Sequence, residues 1–143
     1  MATDLDLMLR LHSAAGRQAG ALSRDQALAL GLGPGALLRL VRNGRWRRLA
    51  RGVFALSPDS WYQRAWAGLL LAGGPAVLGR EAAAFLHGWA GPPERVTVYA
   101  GRRVNVTDDR WEFLATRRAG EGEPPRTSVE DTLADLADRR RGG

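Results

Sequence analysis

Between Arg39 and Arg51 the chain carries six arginines (Arg39, Arg42, Arg45, Arg47, Arg48 and Arg51) and no acid. Leu40, Val41, Trp46 and Leu49 stand among them at core-like spacing, which excludes a loose basic tail. The stretch follows a helical pattern and leads into a tight hairpin. A fold built around it must end a helix and open a hairpin within a few residues, with the charge left outside. That order predicts the recognition helix and wing of a winged helix-turn-helix.

The charge distribution supports the same reading. Residues 1–57 hold nine arginines against three aspartates, whereas residues 58–143 hold twelve arginines against twelve acids. The net charge of +6 therefore belongs to the first 57 residues. Concentrated positive charge on a small module favours a polyanionic partner, although a merely solvated basic face has the same composition. The chain has 143 residues and is 45% hydrophobic, enough for one ordinary domain or two small ones with a real core. All 21 basic residues are arginine. With no lysine, a Walker-type phosphate loop and a Schiff base are excluded. With no cysteine, disulfides, thiolate metal sites and a cysteine nucleophile are excluded. No apolar run is long enough for a membrane span, and the start, Met1 to Asp6, lacks the basic segment of a secretory leader. The expected location is the cytoplasm.

Taken in order, residues 4–15 predict a first helix with Leu5, Met8, Leu9, His12 and Ala15 on its buried face, widened by Leu7 and Leu11. His12, at the edge of that face, reads as a partly buried structural histidine. Ala21-Leu22 suits a very short strand. Ser23-Arg24-Asp25-Gln26 is a capping box opening a second helix that Gly31 closes. Pro34 fits the first position of a third helix running to about Asn43. Leu37, Leu40 and Val41 share one side of it; Gly35, Arg39, Arg42 and Asn43 lie opposite, with Leu38 between. Arg45–Leu49 and Val53–Leu56 predict the two strands of a wing around Ala50-Arg51-Gly52. Trp46 and Leu49 would face the core with Val53 or Phe54.

A second unit is expected from residue 58 onward. Its elements are a helix over 59–72 with Tyr62, Trp66, Leu69 and Leu70 buried, a strand at 76–78, and a helix over 80–87. Strands at 95–99 and 111–114 follow. A last helix is capped at Thr127 or Ser128, buries Val129, Leu133, Leu136 and Ala137, and ends in a frayed tail over 139–143. The fold class is α+β: a winged helix-turn-helix over 1–57, then a small α+β domain over 58–143.

With both halves read, the chain resembles the AbiEi-type antitoxin family of type IV toxin–antitoxin systems, above all its actinobacterial transcriptional regulators. The segments that carry the likeness are Leu22 to Ala27, Gly31-Leu32, Leu37 to Trp46, Leu49 to Phe54, Ala82 to Gly88 and Arg126 to Ala137. The resemblance implies an N-terminal winged helix that binds operator DNA and represses its own operon. It also implies a following domain that counters a nucleotidyltransferase-like toxin.

No catalytic constellation stands out. Asp108-Asp109 and the Glu121/Glu123 pair lie in polar, loop-like stretches and read as solvated charge. Two histidines and no cysteine leave few metal ligands, so no metal and no cofactor are expected. The candidate residues are instead those for duplex DNA. Arg39, Arg42 and Asn43 would meet base edges or adjacent phosphates, with Gly35 allowing close approach. Arg24, Arg45, Arg47, Arg48 and Arg51 would hold flanking phosphate or reach the minor groove. Arg45 and Arg51 have an alternative in pairing with Asp25 or with backbone carbonyls. Two other functions stay open: a module that binds a protein partner through residues 58–143, and RNA binding. For RNA the chain offers few aromatics outside core-like positions. The expected partners are an operator duplex, with an inverted repeat as one of its open forms, and a nucleotidyltransferase-like toxin; no membrane is expected.

Overall fold

The computed structural model describes residues 4–141. The reading of Met1–Thr3 as a start without a leader, and of Gly142–Gly143 as a frayed end, falls outside the described residues. Two compact units succeed each other along the chain, Met1–Leu70 and Leu71–Gly143. Among the described residues, six helices and two three-stranded sheets make a mixed α and β fold.

The first unit runs α1 (Asp4–Gly16), β1 (Ala21–Ser23), α2 (Arg24–Ala29), α3 (Pro34–Arg42), β2 (Arg47–Ala50) and β3 (Val53–Ala55), then most of α4 (Trp61–Ala72). This is the winged-helix order. The sheet is antiparallel, β1-β3-β2, with Leu22 opposite Phe54 and Phe54 opposite Arg48. Leu11, Ala15, Leu22, Ala27, Leu32, Leu37, Trp46 and Phe54 form one core, with Trp46 and Phe54 packed at 6.5 Å between ring centroids. The capping box forms as the sequence requires: the Gln26 N–H donates to Ser23 Oγ, and the Ser23 N–H donates to Gln26 Oε1, both at 3.0 Å. Gln18 and Gln26 exchange amide hydrogen bonds on top of it. Ser23→Ala should therefore lower stability by about 1–2 kcal/mol, read as a shift in urea midpoint with unchanged slope.

Three expectations for this unit are corrected. In α1 the buried positions are Leu11 and Ala15, supported by Leu7, Met8 and Ala14; Leu5 (67% exposed), Leu9 (59%) and His12 face outward. Leucines line so much of this helix that periodicity alone does not select a side. In β2 the ladder slips between Arg48 and Ala50, so Leu49 sits at a bulge and is only partly buried. In α4 Tyr62 is exposed and Trp66 and Leu70 are only partly buried, while Gln63, Ala65, Ala67, Leu69 and Ala72 are buried.

The second unit holds β4 (Val77–Gly79), α5 (Arg80–Leu86), β5 (Val96–Tyr99), β6 (Trp111–Leu114) and α6 (Val129–Arg141). β5 is central, antiparallel to β4 and parallel to β6. Val96 to Tyr99 are all buried. Gly79 is required by packing: a Cβ there would stand 2.0 Å from the Tyr99 ring.

α6 corrects the sequence reading. Val129 and Leu133 are exposed, Ala137 is exposed too, and the buried positions are Thr132 and Asp135. The Thr127 and Thr132 hydroxyls lie 2.6 Å apart, and Thr132 Oγ1 donates to Ser128 O. Asp135 accepts from Nε (3.1 Å) and Nη2 of Arg118. Polar anchors thus decide which side of α6 faces inward. Arg139 to Arg141 form its last turn, not a frayed tail. Asp108 is also more than a solvated loop charge: its carboxylate accepts from the backbone and guanidinium of Arg110, which hold it below the usual carboxylate range.

Candidate nucleic-acid interface

Three short-range features bring the basic residues together. The backbone N–H of Arg24 donates to Gly52 O at 2.8 Å, tying the start of α2 to the tip of the wing. Gly52 makes that tip possible at φ +73°, a conformation that side chains with a Cβ resist. The N–H of Trp46 donates to Leu40 O at 3.0 Å, so the chain leaving α3 is fixed before the wing begins, and the buried Trp46 indole holds it there.

The result is a groove of about 760 Å³ between α3 and the wing. Arg24, Gly35, Leu38, Arg48, Arg51 and Gly52 line it. Arg39 curls back along α3, its Nη1 3.8 Å from where a Cβ on Gly35 would lie. A second groove of about 520 Å³, behind the wing, contains Arg45, Arg47 and Arg48. Neighbouring residues on a strand point to opposite faces, which separates Arg47 from Arg48. Arg48 nonetheless borders both grooves and joins them.

All seven of these arginines, with Arg42 among them, are exposed. In the second unit Arg80 pairs with Glu112, Arg110 with Asp108, Arg118 with Asp135, Arg139 with Glu81 and Arg141 with Asp138. Among the described residues none of Arg24, Arg39, Arg42, Arg45, Arg47, Arg48 and Arg51 pairs with a carboxylate. The alternative of Arg45 or Arg51 bound to Asp25 is therefore not what the structure contains. Asn43 has a local duty: it caps α3, and its Oδ1 accepts from the Arg45 N–H at 3.1 Å.

Arg47 has one polar partner, and it is a residue the sequence reading did not single out. Its Nη2 donates to Gln63 Oε1 at 2.6 Å. Gln63 is fully buried, and its amide nitrogen lies within 3.3 Å of the carbonyl oxygens of Ala19, Ser57 and Pro58 and within 3.1 Å of Ser57 Oγ. It orients Arg47 without cancelling its charge. The available signal was an amide standing next to the small apolar positions Ala65 and Ala67 of α4.

Two helices in a tight turn, a third helix with a basic side, and a basic hairpin closing the sheet define a winged helix-turn-helix. Residues 10–57 match the family described as "Transcriptional regulator, AbiEi antitoxin", from within α1 to just past the wing. The family is the one the residues resemble. No curated protein matches the chain. No helix among the described residues is long and apolar enough to cross a membrane.

Proposed function

We propose that this protein is a sequence-specific DNA-binding transcriptional regulator of the antitoxin type, acting in the cytoplasm on the operator of its own operon. The carrying observation is that seven exposed arginines, none paired with a carboxylate among the described residues, gather around α3 and the wing, whereas five arginines of the second unit are so paired. Guanidiniums without a carboxylate partner are poised for phosphate and base edges, because no ion pair must be broken before they bind.

In this reading α3 enters the major groove, whose width of about 12 Å accepts a helix. Arg39 and Arg42 take base edges or the phosphates beside them. Arg24, Arg48 and Arg51 hold the backbone on the wing side, and Arg47, steadied by Gln63, extends that hold. Gly35 offers no side chain, which lets α3 approach closely. Neutralising about four phosphates sets a slope of log affinity against log salt near −3.6. Affinity for the upstream duplex should fall on the order of 100-fold between about 50 and 200 mM salt. Fluorescence anisotropy across a salt series measures it, and a slope near zero would remove the electrostatic basis of the proposal.

The same reading assigns neutralisation of a nucleotidyltransferase-like toxin to the domain over 58–143. One observation favours a protein partner there: Val129 (42% exposed) and Leu133 (55%) stand one turn apart on the outer side of α6. A purified neighbouring-gene nucleotidyltransferase that forms no complex with the full chain in gel filtration would refute that role.

A further inference from the structure

Among the described residues of the first unit, the large apolar side chains that stand exposed are Leu5, Leu9, Leu38 and Tyr62. Single exposed leucines are ordinary. Leu38 differs by its position, since of these four it is the one that lines the groove of Arg24, Arg48 and Arg51. It is 49% exposed, one turn into α3.

What precedes it on the helix is small. Gly33, Gly35 and Ala36 present almost no side chain, Pro34 adds only its compact ring, and the space where Gly35 would carry a Cβ is open apart from Arg39. Leu37 is buried beneath the helix, so Leu38 is the first large side chain exposed behind the leading end of α3. Arg39 follows it directly, and Arg42 lies one turn further on the same side, about 6 Å along the axis. Polar or charged side chains would serve solubility and helix formation equally well at this position.

A leucine in this setting meets a specific chemistry. The floor of the major groove displays hydrogen-bonding atoms at every base pair, and the thymine C5-methyl is the apolar group among them. Resting on the regulator reading above, we propose that Leu38 is a specificity-determining residue that packs on the C5-methyl of a thymine. That thymine lies within about two base steps of the base met by Arg42, since 6 Å of helix spans roughly two steps of 3.4 Å.

The test uses the full chain and a duplex recovered by repeated selection from a random pool. Each thymine of that duplex is replaced singly by deoxyuridine, which removes one methyl and keeps every hydrogen-bonding atom. One replacement should weaken the wild-type protein about fourfold, the effect of losing one buried methyl-sized group. The same replacement should leave Leu38→Ala unchanged, because the two changes remove opposite sides of one contact. Leu38→Ala, at a half-exposed site, should keep the wild-type circular dichroism and urea midpoint. An enriched duplex that tolerates deoxyuridine at every position overturns this inference and leaves the regulator reading intact. Full methyl sensitivity in Leu38→Ala overturns the assignment to Leu38. A pool that yields no preferred duplex overturns both.

Discussion

Arg39→Ala/Arg42→Ala should bind the upstream duplex of its own operon on the order of a thousandfold more weakly than the wild-type protein. The figure follows from two base contacts worth about 1–3 kcal/mol each, taken near the middle of that range. Both side chains leave the exposed side of α3, neither pairs with a carboxylate, and Leu37, Trp46 and Phe54 hold the helix from beneath. The double variant should keep its fold, since both residues are exposed. Its binding to scrambled duplex should fall far less, because Arg24, Arg48 and Arg51 still hold phosphate. The salt slope separates the two assignments of these side chains. If they read bases, the slope of the variant stays near the wild-type value. If they hold phosphates, it flattens by about two contacts and all sequences weaken together. Should wild type and variant bind operator and scrambled duplex equally in a gel shift, sequence-specific readout through α3 is refuted.

The second large effect belongs to the other unit. Asp135→Ala should destabilise residues 71–143 by about 3 kcal/mol. Asp135 is 5% exposed and receives two hydrogen bonds from Arg118, so removing it strands a guanidinium and opens the inner side of α6. The estimate sits at the low end for a broken buried pair because the Arg118 side chain is 33% exposed and regains some water. Burial alone would push the Asp135 carboxyl up; hydrogen bonds from Arg118 and Tyr99 outweigh it and hold the group below the usual carboxylate range. Tyr99 moves the other way, to about 12, from burial first and then from its hydrogen bond to Asp135. A depressed carboxyl stabilises the fold above its unfolded value of about 3.9, and this contribution disappears as pH falls through the folded value. The urea midpoint should therefore drop below about pH 4 in the wild type and drop less in Asp135→Asn. Identical acid profiles for the two proteins would mean that the pair does not anchor α6.

Much of the candidate interface was legible before any coordinates. Capping signals carry their own geometry, so Ser23-x-x-Gln26 marks where α2 begins, Gly31 where it ends and Pro34 where α3 begins. The alternation around Arg51-Gly52 marks the wing. Arg39 and Arg42 fall opposite Leu37 by the period of the helix alone. A one-sided pattern, as in α3, marks the buried face directly; a helix without one gives no such mark. α1 has leucines around most of its circumference, and α6 has too few apolar residues to outweigh Asp135 and the threonines.

By itself, the sequence determined the order of the elements, the basic module within the first 57 residues and the side of α3 that carries charge. These depend on caps, periods and composition, which act over a few residues. Only the tertiary structure decided that Arg24 lies beside the wing tip, that Arg48 borders both grooves while Arg47 lines the one behind the wing, and that buried Gln63 reaches Arg47. It likewise decided that Asp135 faces inward and Leu133 outward. Those outcomes follow from contacts between residues far apart in the chain, where burial, hydrogen bonding and charge pairing compete and local pattern has no vote.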